Sequence, residues 1–307
     1  MFRPTGPRPA GRRVRWPAAA LVVAGLLGAL PPHAAAVPLV TTQYARVSGD
    51  PGAAGIASRV AALVDEAAPR IAPLVGANDL RPIPVVVYVD SRQFRSATGL
   101  PQRSTVVGLA AFPTAVIHVD GTGRLASVEK VVPHEVAHIM IWRAMGPAFG
   151  ELPLWMHEGV AEYAAGERAS QVDPVTLEAV GRGESLPIAD LDLALRGSDR
   201  PQALAYAEAA SIVNFLVSAK GPGVIAELLA AAREQGDFPA AVKQVTGWSM
   251  QDLEAAWRVS VARRWRWPLL LQSPVLPFGL MLVIFIAGYL RYRRRRRRRE
   301  QQQDQDW

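Results

Sequence analysis

The 307-residue sequence contains no cysteine. That absence excludes a disulfide framework and every thiolate metal site, so any bound ion must be held by histidine and carboxylate. No internal repeat is present, and low complexity is confined to the tail, which sets repeat architectures aside. The third lack is a basic middle. The formal net charge is +7, but residues 1–36 hold five of the 34 basic residues and no acid. Residues 291–307 hold eight Arg and three of the 27 acids, leaving 21 basic and 24 acidic residues between them. A basic groove has no support, and no nucleic acid is expected as a partner. At this length the chain can bury the core of one large or two modest domains.

The two ends carry the long apolar runs. Arg12, Arg13 and Arg15 precede an apolar stretch over 18–30, which Pro31-Pro32 breaks before Ala34-Ala35-Ala36. Basic flank, short apolar core and small-residue site together predict a signal peptide over 1–36, with Sec or Tat export left open. Residues 268–290 are apolar except for Gln272 and Ser273, long enough for a transmembrane helix into a lipid bilayer. Trp265, Trp267 and Tyr289 lie near its ends, and the Arg-rich stretch 291–307 follows as a cytoplasmic tail. The expected arrangement is single-pass in the cell membrane, with 37–265 a periplasmic or extracellular ectodomain. Oligomeric state leaves no trace in the sequence.

Within that ectodomain the first part is rich in strand signals. Residues 37–47 read as a strand, ending at Gly49-Asp50-Pro51-Gly52. Residues 53–75 follow helical spacing, with a kink or stop expected at Pro69. Residues 83–89 form a β-branched run and read as a buried strand. A short helix capped by Asp90 or Ser91 follows, then strands over 105–111 and 115–119 around Phe112-Pro113-Thr114. From 125 onward the pattern is helical: 125–145, 153–165, 201–219, 223–235, 238–245 and 250–264, the last with Ser249 as N-cap. The fold class expected is α+β, with a mixed half followed by a helical half.

At that junction stands His134-Glu135-Val136-Ala137-His138. On a helix the two imidazoles leave one face a turn apart, which suits a shared zinc ion, Zn2+. Glu135 lies one residue round, placed to take a proton from water activated by the ion. Val128, Val132, Val136 and Ile139 form a separate stripe, so one face is expected on the core and the other in a cleft. Pro133 leaves the helix start open: first turn of a new helix, or a kink in one begun near Ser127. Catalytic zinc takes three protein ligands and keeps one position free, and Glu158 on the next helix is the best third donor. Several alternatives lack their residues. Position 141 is Ile and 144 is Ala, where a metzincin needs Gly and His, and no second E-x-x-H exists for a di-iron bundle. Glu129, Lys130 and Arg143 interrupt the apolar span that an intramembrane protease needs.

Trp155-Met156-His157-Glu158-Gly159-Val160-Ala161-Glu162-Tyr163, in which nineteen residues separate Glu158 from His138, resembles the second signature of the gluzincin zinc metallopeptidases. It looks most like the peptidase MA-like family. The resemblance implies a zincin-like fold with an edge strand, zinc ligands His134, His138 and Glu158, and Glu135 as general base. It gives Glu162, on the same face as Glu158, the role of hydrogen-bonding a ligand histidine. It assigns Tyr206, in Ala205-Tyr206-Ala207-Glu208-Ala209-Ala210-Ser211, to the developing oxyanion, beside the plain alternative of a Tyr on an amphipathic face. His157 faces elsewhere and reads as structural. The strand 115–119 would match the edge that pairs with an extended peptide or protein substrate. Without G-x-M-E-N, endopeptidase is the expected subclass. A catalytically silent binding or scaffold domain is the alternative.

Overall fold

A computed structural model describes residues 37–122, 125–166, 174–197 and 200–272, with 281, 284–289 and 291–293. The expected export signal over 1–36 lies outside the described residues, as do about half of the expected span over 268–290 and all of the Arg tail except 291–293. Among the described residues no single helix is long and apolar enough to cross a membrane.

The expected strand over 37–47 is a hairpin: β1 (Val37–Thr41) pairs antiparallel with β2 (Ala45–Gly49). Thr42 makes the corner, its N–H donating to the Ala45 carbonyl at 2.9 Å and its Oγ1 accepting from the Ala45 N–H at 3.1 Å. Asp65, on the helix that follows, accepts from both Thr42 Oγ1 and the Tyr44 N–H, so a side chain distant in sequence stabilises the corner. That helix, α1 (Ala54–Val75), passes through Pro69 and Pro73 and ends at Gly76 with φ 71°. An interior proline costs about 3 kcal/mol. Burial of Ile71 and Val75 beyond it returns about 1.5–3 kcal/mol each, so the helix continues.

Next come β3 (Ile83–Tyr88), α2 (Ser91–Thr98), β4 (Gly108–Ala111) and β5 (Val116–Asp120). Asp90 caps α2, accepting from the Arg92 N–H at 2.8 Å. The five strands lie in the order β1-β2-β3-β5-β4, parallel from β2 through β3 to β5 and antiparallel at both margins. Residues 115–119 therefore do not form the edge: β5 is interior, and β4 is the edge strand. Sequence alone could not separate these neighbours, since the hairpin comes before the helix that decides which strand joins β3. Along β3, Ile83, Val85 and Val87 enter the main core, while Tyr88 enters a smaller core with Phe94, Ala97, Leu100 and Val106.

The helical half follows: α3 (Leu125–Met145), α4 (Leu154–Ala165), α5 (Pro174–Arg182), α6 (Ile188–Leu195) and α7 (Arg200–Lys220). It finishes with α8 (Val224–Gln235), α9 (Phe238–Thr246) and α10 (Met250–Gln272). Ser249 and Asp252 cap α10 reciprocally, each side chain accepting from the other's N–H at 3.1 Å. The choice left open at Pro133 is resolved: α3 begins at Leu125 and contains Pro133. The expected division of α3 into core face and cleft face is replaced by burial on all sides from Val131 to Ile141. The helix is central, packed by α1, α4, β4, β5 and α8. Helices α5 and α6 have no counterpart in the sequence reading. They run only nine and eight residues, between Gly183, Pro187 and Gly197.

Candidate metal centre

His134 and His138, one turn apart on α3, turn their Nε2 atoms to each other at 3.1 Å. From α4, Glu158 Oε2 stands 3.5 Å from His134 Nε2 and 3.9 Å from His138 Nε2. Exposure is 2%, 0% and 0% for the three, so no solvent satisfies them. Both Nδ1 atoms and both Glu158 oxygens lack a hydrogen-bond partner among the described residues. Each such orphan costs about 1–3 kcal/mol, and four in one place are a poor use of a core.

A metal ion between the two Nε2 atoms and Glu158 Oε2 would satisfy the carboxylate, while the two Nδ1 atoms face away from such an ion. N and O donors at about 2.0–2.1 Å from a tetrahedral zinc stand about 3.3–3.4 Å apart, close to the three separations observed. The charges agree. Burial pushes His134 down, but the carboxylates of Glu158, Glu162 and Glu135 outweigh it and hold it at about 9. Burial pushes Glu135 up to about 7, against the pull of His134 and the Ala110 N–H. Burial also raises Glu158, and burial with His134 and His157 nearby drives His138 well below its usual value. The cluster thus favours one positive charge among these carboxylates, carried by a proton on His134 or by a bound cation.

Glu135 is buried and its Oε2 accepts the Ala110 N–H at 2.7 Å. The Asp120 N–H bonds Val107 O, so alternation turns the Gly108 and Ala110 backbone groups away from β5 toward the free edge. Gly108 permits this closeness, since a Cβ there would lie 2.1 Å from Val131 Cγ1. Glu162, one turn beyond Glu158, brings Oε1 to 3.5 Å from His134 Nδ1, with Lys130 Nζ 3.8 Å from its other oxygen. His157 is buried with its ring bonded to the backbone of Phe149 and Leu152 and set edge-on to Phe149, centroids 4.4 Å apart. Tyr206 sits half-buried on α7, the helix against which α4 packs, and is not one of the three donors brought together.

Residues 63–263 match the sequence model of the Peptidase MA superfamily. The chain belongs to that superfamily. It is also similar to the uncharacterized protein YhcO of Bacillus subtilis (strain 168), 21% identical over 191 residues, 59% of this chain. The match spans only 58% of the length of that relative. The Peptidase MA match contains α3, α4 and the His/His/Glu cluster.

In this Peptidase MA chain several residues that shape the site escape a sequence reading. Gly159 lets α4 approach α7, since a Cβ there would lie 2.6 Å from the Ala209 carbonyl oxygen. Its place beside Glu158 was the one available signal. Ala110 acts through a backbone N–H, which no side-chain pattern reveals. Asp192 of α6 and Arg70 of α1 bond the two ends of α4 from outside it, without any motif of their own.

Proposed function

We propose that the protein is a membrane-anchored zinc metallopeptidase of gluzincin type with a zincin-like fold, cutting peptide bonds outside the cytoplasm. The observation that carries this is the buried His134/His138/Glu158 triangle, whose Nε2, Nε2 and Oε2 atoms are spaced for one ion, with Glu135 beside it. A zinc ion held there would bring water toward neutral acidity and polarise a substrate carbonyl. Glu135 takes the proton from the attacking water, holds it, and delivers it to the leaving amine, so protons balance over the cycle. Glu162 orients His134 through Nδ1, which fixes the imidazole and its tautomer. The free edge of β4 pairs with an extended substrate, and the Ala110 N–H is the first donor it offers once Glu135 turns to its proton. Tyr206 donates to the oxyanion as charge develops there. Endopeptidase action, a leader over 1–36 and an anchor over 268–290 complete the reading.

The test uses the full-length chain, purified in detergent and dialysed against zinc. Metal analysis should return about one zinc per chain, and an unfolded protein substrate should be cut. Glu135→Gln should keep the zinc and lose the cutting. A chain without zinc would overturn the reading, and zinc with no cleavage of any peptide would leave a scaffold domain.

A further inference from the structure

The helix that carries Glu158 does not cap itself. Pro153 occupies the N-cap of α4 and offers no side-chain acceptor. Instead Asp192, on α6, reaches across with both oxygens: Oδ2 accepts the Leu154 N–H at 3.1 Å and Oδ1 accepts the Trp155 N–H at 2.8 Å. At the other end Arg70 of α1 donates to the Ala164 carbonyl at 2.8 Å. An acid at the N-terminus and a base at the C-terminus both complement the helix dipole, and here neither belongs to the helix. The same device recurs one step back. Pro187 leaves α6 without a cap of its own, and Glu254 of α10 accepts the Ile188 N–H at 3.0 Å. Acidic side chains thus hand support from α10 to α6 and from α6 to α4.

We propose that Asp192 is a positioning residue for Glu158, fixing the first turn of α4 and thereby the place where its carboxylate meets His134 and His138. Glu158 is four residues beyond Leu154, one turn in, close enough to the helix end for loosening there to reach it. A ligand triangle with sides of 3.1, 3.5 and 3.9 Å tolerates little displacement of one corner. Gly159 ties the same turn to the Ala209 backbone from the other side, so Asp192 and α7 together leave α4 one seat.

This inference rests on the reading of His134, His138 and Glu158 as a metal centre. Its test is the zinc affinity of the full-length chain, measured by competition with a chromophoric chelator. Asp192→Ala should weaken zinc about 10–100-fold, the usual cost of losing a group that holds a ligand in place. Asp192→Asn keeps one acceptor and should fall between, which also covers a failure of the alanine variant to fold. The control is Asp237→Ala, which removes an equivalent cap from α9, a helix without a ligand. It should lower the melting temperature and leave zinc affinity unchanged. Wild-type affinity in both Asp192 variants, or equal weakening in Asp237→Ala, overturns the inference while leaving the metal centre intact. Absence of zinc from the wild type instead overturns the metal centre.

Discussion

Four histidines among the described residues are buried to nearly the same degree, and they divide into two pairs. His118 and His157 are finished structural parts. The Nδ1 of His118 is bonded to the Tyr88 hydroxyl at 2.8 Å in the small core, and His157 is bonded to the backbone of Phe149 and Leu152. His134 and His138 point at each other and at a carboxylate whose two oxygens have no hydrogen-bond partner. Burial therefore does not distinguish a ligand from a core histidine; satisfaction by fixed protein groups does.

The sharpest way to break this contrast is to remove a donor. His138→Ala should abolish zinc binding and proteolysis, together with the stabilisation that zinc confers. That stabilisation is about 4 kcal/mol with zinc at a thousand times its dissociation constant. Thermal melts with zinc and with a chelator should separate for the wild type and coincide for the variant. Glu135→Gln should cost about 10²–10⁴ in turnover, as loss of a general base does, with the zinc content unchanged. Turnover preserved in that variant would move the base elsewhere.

Glu208 sharpens the comparison from a third position. It too is buried with one oxygen unpartnered, but its other oxygen accepts the Leu186 N–H at 3.1 Å, and among the described residues it belongs to no His/carboxylate cluster. Burial pushes its carboxyl up to about 7 from an ordinary 4.5. The folded state then holds the proton more tightly than the unfolded state. Below about pH 4.5 the group is protonated in both and costs nothing; stability is lost as pH rises from there through 7. The full loss is on the order of 3 kcal/mol at 1.4 kcal/mol per pH unit. Glu208→Gln should match the wild type in denaturant melts near pH 4.5 and exceed it by about that amount at pH 8. Zinc should not alter the difference.

The smallest effect belongs to the finished pair. Tyr88→Phe removes the hydroxyl from His118 and should cost about 1–2 kcal/mol in denaturant melts, equally with and without zinc. A zinc-dependent cost would join the small core to the metal centre and erase the distinction.

The donor set of the candidate metal centre was legible because its pattern is local. His134, Glu135 and His138 sit within five residues, and helical periodicity alone projects both imidazoles from one side. Glu158 and Glu162 stand one turn apart on a second helix, and their expected roles came from the resemblance to the gluzincins. The end of α3 and the extent of α4 also followed from sequence, with Gly146-Pro147 and Pro153 as punctuation, whereas the start of α3 was left open at Pro133. The edge of the sheet was not legible. Residues 115–119 alternate as an edge strand would, but β5 is interior because β3 pairs with it in parallel and β4 is left outside. Nor was the all-round burial of α3, since a helix with polar ligands on one side reads as amphipathic until its neighbours are known.

By itself the sequence determined which atoms are available: no thiolate, two histidines a turn apart, a glutamate between them and another on the next helix. Those are properties of composition and backbone period. Only the tertiary structure decided that Nε2, Nε2 and Oε2 converge within 4.8 Å in a buried space. It alone brought the Ala110 N–H to Glu135, and Asp192 and Arg70 to the ends of α4. These are contacts between groups 25 to 94 residues apart. They follow from which helix packs on which strand, a choice made by the whole core and recorded in no single stretch of the chain.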